Sequence, residues 1–275
     1  SRPSFSDCQT LSTMNIAPAI RDRIDKELVA LEHDASIKIL FAVESGSRAW
    51  GFPSRDSDYD VRFVYVRQPW DYINVYPLRD VIERPITDEL DVSGWDLIKA
   101  FGLLRKSNPA LMEWVRSPLI YQELQPHVET FRQLATQAFL PLASCHHYRS
   151  MARKHQMRSS KKERVRLKHY LYTLRPCLSA RWVIEKGSQP PMLFGELVDT
   201  FLPTGDLREV GERLVAMKSD ATEKDSVERI SVLDNFINHS LEMIADNLPV
   251  AVPAMSKAEC NEQFQKMLKD CWNTP

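Results

Sequence analysis

The sequence predicts an α+β protein, with a small head built on a mixed sheet over residues 1–120 and a helical domain over residues 121–275. Three observations carry this. Two hydrophobic runs of strand length, IKILFAV (37–43) and DVRFVYV (60–66), lie close together early in the chain, with two weaker ones after them. Beyond about Phe131 no run of strand character stands out. The apolar residues there recur at spacings of three and four, the period of a helix that buries one face.

Taken in order, SRPSFSDCQTLST is polar and is expected to be a loose arm, and IAPAIRDRIDKELVALEHDA (16–35) reads as an amphipathic helix. From Ile39 to Val43 the apolar run is continuous, as expected of a strand covered on both faces of a mixed sheet. RDVIERPI (79–86) and DELDVS (88–93) are weaker strands, expected to pair as a hairpin across Pro85 to Asp88. WDLIKAFGLLRKSNPALMEWVRS divides into two helices at Ser107-Asn108-Pro109, with Asn108 as cap and Pro109 at the first helical position, where its missing N–H costs nothing. Further helices are expected around 126–139, 141–157, 162–186, 206–218, 225–246 and 256–270, punctuated by Pro141, Pro176, Pro190-Pro191, Pro203, Pro249 and Pro253.

The chain's 275 residues, 43% of them hydrophobic and 27% charged, suffice for a substantial core. A net charge of -1 means that any attraction to nucleic acid must come from local clustering of charge. The five cysteines (Cys8, Cys145, Cys177, Cys260, Cys271) are scattered without a C-x-x-C pair, which reads as reduced thiols in a cytoplasmic protein and gives no expectation of structural zinc. No apolar run approaches the roughly 18 residues of a membrane span, so none is expected, nor is a signal peptide.

The chemistry concentrates in ESGSRAWGFPSRDSDYD (44–60). Side chains alternate along a strand, so Asp58, Asp60 and Arg62 are expected on one face, with Tyr59, Val61 and Phe63 on the core face. Carboxylates side by side repel, and a divalent cation between them removes the conflict. Magnesium takes oxygen ligands and shares them with substrate phosphates; manganese suits the same donors. Gly46-Ser47, directly after the first strand, lets the backbone come close to an anion and adds a hydroxyl donor. Among the neighbours, Asp56 is expected in a turn, Arg48 in solvent, and Trp50 and Trp95 in the core.

GSRAWGFPSRDSDYD resembles the G-S-x(n)-D-x-D signature of the DNA polymerase β-type nucleotidyltransferase superfamily. GSRAWGF with SDYDVRFVYV, then DVSGWDLIKAF and NPALMEWVRSP, is similar to its RNA-repair-associated bacterial and phage branch, and LKHYLYTLRPCLSARWV (167–183) extends the likeness. The resemblance implies a nucleotidyltransferase fold for the head, two magnesium ions, and a third acid on a later strand. Among Glu89, Asp91 and Asp96, Asp91 faces away from Leu90 and Val92, with Glu89 as same-face neighbour, whereas Asp96 belongs in the first turn of the next helix. Asp58, Asp60 and Asp91 are thus the expected metal ligands and catalytic residues. Gly46, Ser47 and Arg62 are the expected nucleotide contacts; for Arg62 an ion pair orienting the aspartates is an equal alternative. The resemblance also implies triphosphate contacts from Lys168 and Tyr172, which lie four apart and share a helix face.

Arg149, Arg153, Lys154, Arg158, Lys161, Lys162, Arg164, Arg166 and Lys168 fall within twenty residues, opposed by Glu163 alone. Such a stretch suits phosphates. His146 and His147 diverge by about 100° on a helix, which argues against a shared metal. The expected activity is transfer of a nucleoside monophosphate from a nucleoside triphosphate to an acceptor hydroxyl, an RNA end, with release of pyrophosphate. Two rivals stand beside it. GSRAWG also resembles the start of the small toxin-antitoxin nucleotidyltransferases, implying a protein hydroxyl as acceptor; the basic stretch alone would suit an inactive RNA-binding scaffold.

Overall fold

The computed structural model describes residues 16–86, 89–159, 162–202, 204–222 and 224–273. The expected N-terminal arm, Cys8, Lys161, Pro203 and the end of the expected hairpin turn at Asp88 lie outside them. The chain forms two units, a sheet unit of residues 16–46, Asp58–Phe139 and 253–273, and a helical unit of Ser47–Ser57 and Leu140–Val252.

In the sheet unit, α1 (Pro18–Ala35) starts on a proline and ends at Ser36, whose left-handed backbone lets the next amides return to the helix's last carbonyls. Five strands follow, β1 (Lys38–Glu44), β2 (Tyr59–Val66), β3 (Val81–Glu83), β4 (Leu90–Asp96) and β5 (Ile120–Glu123), in the order β3-β4-β2-β1-β5. β2 and β4 are parallel and the other pairs antiparallel, so the sheet is mixed, as expected. β3 and β4 do pair antiparallel, with Val81 opposite Trp95.

Both faces of this sheet are covered, which is why β1 reads as an unbroken apolar run. On one face Val61, Phe63 and Tyr65 meet Ile24, Leu28 and Leu31 of α1. On the other, Val64 and Val66 pack with α3 (Leu97–Leu104), α4 (Pro109–Val115), α5 (His127–Gln137) and α11 (Lys257–Asn273). Asn108 caps α4, its side chain accepting from Leu111 N at 3.2 Å, and Pro109 follows at the first helical position.

The unit division differs from a break at residue 120. α5 belongs with the sheet because the Phe131 ring lies 6.0 Å from Phe41 and 5.7 Å from Phe101. The C-terminal helix α11 returns to the same unit: Phe264 packs on Phe101 at 5.7 Å, and Lys38 Nζ donates to the Cys271 carbonyl at 2.8 Å. β5 had no counterpart among the expected strands.

The helical unit contains α6 (Pro141–Ser159), α7 (Leu167–Lys186), α8 (Phe194–Phe201), α9 (Asp206–Asp220) and α10 (Ser231–Asp246). It is not all-helical. β6 (Arg164–Arg166) and β7 (Ser226–Glu228) pair antiparallel, with buried Val165 between two exposed arginines. An alternation only three residues long cannot be separated from the start of a helix by periodicity, so the expected helices at 162–186 and 225–246 begin late. α8, between the proline clusters, was also not expected. No helix among the described residues is long and apolar enough to cross a membrane, and the four described cysteines are free and buried.

Candidate active site

The parallel register of β2 and β4 sets Asp60 opposite Asp91. Arg62, two residues along and on the same face, ties them together. Its Nη2 donates to Asp60 Oδ1 at 2.8 Å and to Asp91 Oδ2 at 2.6 Å, and its Nη1 to the Asp91 carbonyl at 2.9 Å. The arginine side chain is 17% exposed and the carboxylates 35% and 27%, so the charges are partly desolvated and the charge-assisted bonds correspondingly strong. A guanidinium here does what a cation must do for two adjacent carboxylates: it offsets their repulsion.

Glu44 and Ser45 also fix Asp60, and neither was singled out from the sequence, whereas Gly46 beside them was. Glu44, fully buried at the end of β1, accepts the Asp60 amide at 2.9 Å and the Tyr121 hydroxyl at 2.6 Å. A charge closing an apolar run just before Gly-Ser was the available signal. Gly46 has φ +65°, and a Cβ built there would stand 2.6 Å from Asp60 Oδ2. A glycine thus keeps the space beside that carboxylate open. The Ser45 amide donates to the Asp60 carbonyl at 2.9 Å, closing the corner.

Asp58 departs from the expectation. Hydrogen-bonded strand begins at Tyr59, whose amide meets the Glu89 carbonyl at 2.8 Å, so Asp58 lies before the strand and is exposed. Strand alternation therefore joins only Asp60 and Arg62. Glu89 also precedes its strand, and its carboxylate reaches Arg23 of α1 at 3.9 Å instead of accompanying Asp91. Asp96 is the N-cap of α3, accepting Ile98 N at 2.9 Å, and pairs with Arg67 at 3.1 Å. Burial raises its pKa.

The unit division falls within α2 (Gly46–Trp50), after Gly46. In the helical unit Ser47 is buried with its Oγ 3.4 Å from Ser57 Oγ, in a cluster completed by Ser54 and buried Lys218. Arg48 is half-buried rather than solvent-exposed, because it donates to the Ser57 carbonyl at 2.6 Å. Lys168 and Tyr172 both lie on α7. The Tyr172 ring meets Trp50 at 5.3 Å and His155 at 5.3 Å and lines a cavity of about 390 Å³. Trp95, by contrast, stacks on Trp114 in the sheet unit's core at 3.8 Å.

Burial, aided by the charge of Arg158, pushes the His155 imidazole down to about 4; burial, with Lys168 beside it, lowers His169 as well. A histidine whose folded pKa lies below its ordinary 6.5 opposes folding as the unfolded chain takes up the proton. Stability is accordingly expected to fall as pH drops from about 6.5 toward 4. Thermal melts at pH 7, 6 and 5 check this, and His155→Gln should flatten the slope.

The family whose model matches residues 20–264 is RlaP, the RNA repair pathway DNA polymerase beta family. The chain belongs to it. "Uncharacterized protein YcgL" from Bacillus subtilis (strain 168) is 44% identical to this chain over 227 residues, which cover 82% of this chain and 87% of that protein. The crystal structure of a nucleotidyltransferase-like protein from Exiguobacterium sibiricum 255-15 aligns with 92% of this chain and 81% of its own, at 12% identity and a TM-score of 0.30. So loose a likeness supports nothing further.

RlaP membership supports a polymerase β-type nucleotidyltransferase and suggests divalent-metal use. Asp60 and Asp91 fit such an ion by donor chemistry, both offering carboxylate oxygens in register, with the space beside Asp60 kept by Gly46. Among the described residues no group of three or more His, Cys, Asp or Glu is gathered for a metal. Two carboxylates are a number that would suit magnesium where phosphates supply the other ligands.

Proposed function

We propose that this chain transfers a nucleoside monophosphate from a nucleoside triphosphate to a hydroxyl of an RNA end, releasing pyrophosphate. The observation that supports this best is the Asp60–Asp91 pair, in register across parallel strands and tied by Arg62. Asp60 and Asp91 would hold the magnesium or manganese, and a second ion would need Asp58 as well. Bound there, the metal would neutralise phosphate charge and lower the pKa of the attacking hydroxyl. Arg62 orients the two carboxylates and, once they are engaged, is free to meet a phosphate. Ser47 and Lys168 are proposed as phosphate contacts on the strength of motif and resemblance. The ring of Tyr172 lines a cavity wall with Trp50 and His155, so no phosphate contact is assigned to it. Catalysis would consist of positioning and electrostatic stabilisation, with no covalent intermediate on the protein.

The test is incubation with each α-labelled nucleoside triphosphate and magnesium, offering single-stranded RNA, tRNA and a cell-protein extract. Label moving to RNA supports the proposal. Label moving only to protein would replace it with the protein-acceptor reading, and RNA binding without transfer would leave the scaffold. Gly46→Ala is expected to lower transfer at least tenfold, because the new methyl displaces the Asp60 carboxylate. Its left-handed backbone adds strain of about 1–2 kcal/mol, a fall of roughly 2–8 °C in melting temperature, so transfer is compared at a temperature where the variant is fully folded.

A further inference from the structure

The cavity in the helical unit has equipment that the transfer reaction does not use. Its walls include the rings of Trp50, Tyr172 and His155, and its volume of about 390 Å³ lies in the range of small-ligand pockets. Arg175, only 1% exposed, holds its guanidinium 4.5 Å from the Trp50 ring centroid. His155 Nδ1 is buried without a hydrogen-bond partner. In a neutral imidazole that nitrogen is an unmet donor or an unmet acceptor, and either is costly when buried.

The cavity continues into a second hollow along α6. Ser150 and Lys154 line both, and the second, of about 480 Å³, is bordered by Arg149, Arg153 and Arg158. Arg149 Nε is also buried without a partner. From Arg149 to Arg158 the helix rises about 13 Å. That is long for the clustered phosphates of one nucleotide and suits successive phosphates of a strand. Flat rings with donors and acceptors around their edges, next to a line of cations, are the two components by which single-stranded nucleic acid is held.

We propose that this cavity receives an unpaired nucleobase of a single-stranded nucleic acid, whose neighbouring phosphates lie along the basic side of α6. Trp50 and Tyr172 offer ring surface to the base, while Arg175, Lys154 and His155 meet its polar edge. The choice of a strand rests on the proposed RNA acceptor; the cavity and its unmet polar atoms do not.

The test is binding by fluorescence anisotropy, without nucleotide triphosphate or metal, so that failure of transfer and failure of this site are separate results. The probes are a labelled RNA oligonucleotide, its deoxy counterpart, and an abasic oligonucleotide of the same length. The base-containing strands should bind about 5- to 150-fold more tightly than the abasic one, the range expected when one base is stacked. Met151→Trp, at a half-buried position that lines this cavity and not the second hollow, should remove that preference and leave abasic binding unchanged, which shows that the protein is folded. Tyr172→Leu should do the same. Arg153→Gln/Arg158→Gln should weaken all strands and lower the salt slope by about 1.4, at roughly 0.7 per phosphate contact. Equal affinity for abasic and base-containing strands overturns the proposal, as does a preference that survives both cavity variants. Competition by AMP as effective as by the oligonucleotide also overturns it, assigning the cavity to a free nucleotide.

Discussion

Asp60→Asn should abolish transfer of labelled nucleotide while the protein stays folded. The substitution keeps the side chain's shape and leaves one oxygen for Arg62, which now bonds Asp60 Oδ1 at 2.8 Å. The backbone bonds to Glu44 and Ser45 do not involve the carboxylate and persist. What is lost is one negative charge opposite Asp91. Removing a single preorganised polar group from a reaction centre costs about 10²–10³ in rate, and an acid shared by metal and substrate should reach the top of that range, roughly 4 kcal/mol. The measurements are single-turnover transfer and a thermal melt on the same preparation. Transfer within tenfold of the parent protein, with an unchanged melt, refutes the assignment. Asp58→Asn answers a separate question, because Asp58 is exposed and lies outside the strand. A loss as large as that of Asp60→Asn means Asp58 joins the pair during turnover; a loss under tenfold means Asp60 and Asp91 suffice.

The residues that were legible in the sequence are those whose signal is local. The continuous run from Ile39 to Val43 requires apolar surroundings on both sides, and α1 and the α3–α5 layer provide them. Asn108-Pro109 starts a helix through chemistry contained in two adjacent residues. Asp91 was reachable by strand alternation, since Leu90 and Val92 had to face the core. What could not be read was register. Whether Asp91 stands beside Asp60 depends on β2 and β4 running parallel, and nothing in either strand encodes its partner's direction. Asp58 shows the limit from the other side, because alternation holds only where a strand is hydrogen-bonded. Glu44 was passed over as the end of a strand, yet its buried carboxylate holds the Asp60 amide 16 residues away and the Tyr121 hydroxyl 77 residues away. The return of α11 to the sheet is equally non-local: Cys271 and Lys38 meet across 233 residues. Three-residue strands such as β6 fall below any periodicity.

Gly94→Ala is expected to be among the most destabilising single substitutions in the sheet unit. Gly94 lies opposite Phe63 in the β2–β4 pairing, and a Cβ built on it would come within 2.2 Å of the Phe63 ring. That ring has nowhere to go: Phe63 is fully buried, packed among Val61, Tyr65 and the inner face of α1. Overpacking of this kind costs about 1–3 kcal/mol, and with a rigid ring the upper half of the range applies, a fall of roughly 5–10 °C in melting temperature. Phe63 supplies the control. Phe63→Leu alone should destabilise through the cavity it leaves. Combined with Gly94→Ala it should be less destabilising than the two costs added, because the methyl then occupies the released space. A coupling energy near zero in that cycle would show that the ring is not what excludes Ala at position 94. Arg62 is the residue before Phe63, so any shift of β2 that relieves the clash also moves the guanidinium off Asp60 and Asp91. Gly94→Ala should therefore depress transfer even at temperatures where the variant is fully folded, and adding Phe63→Leu should recover part of that transfer as the clash is relieved.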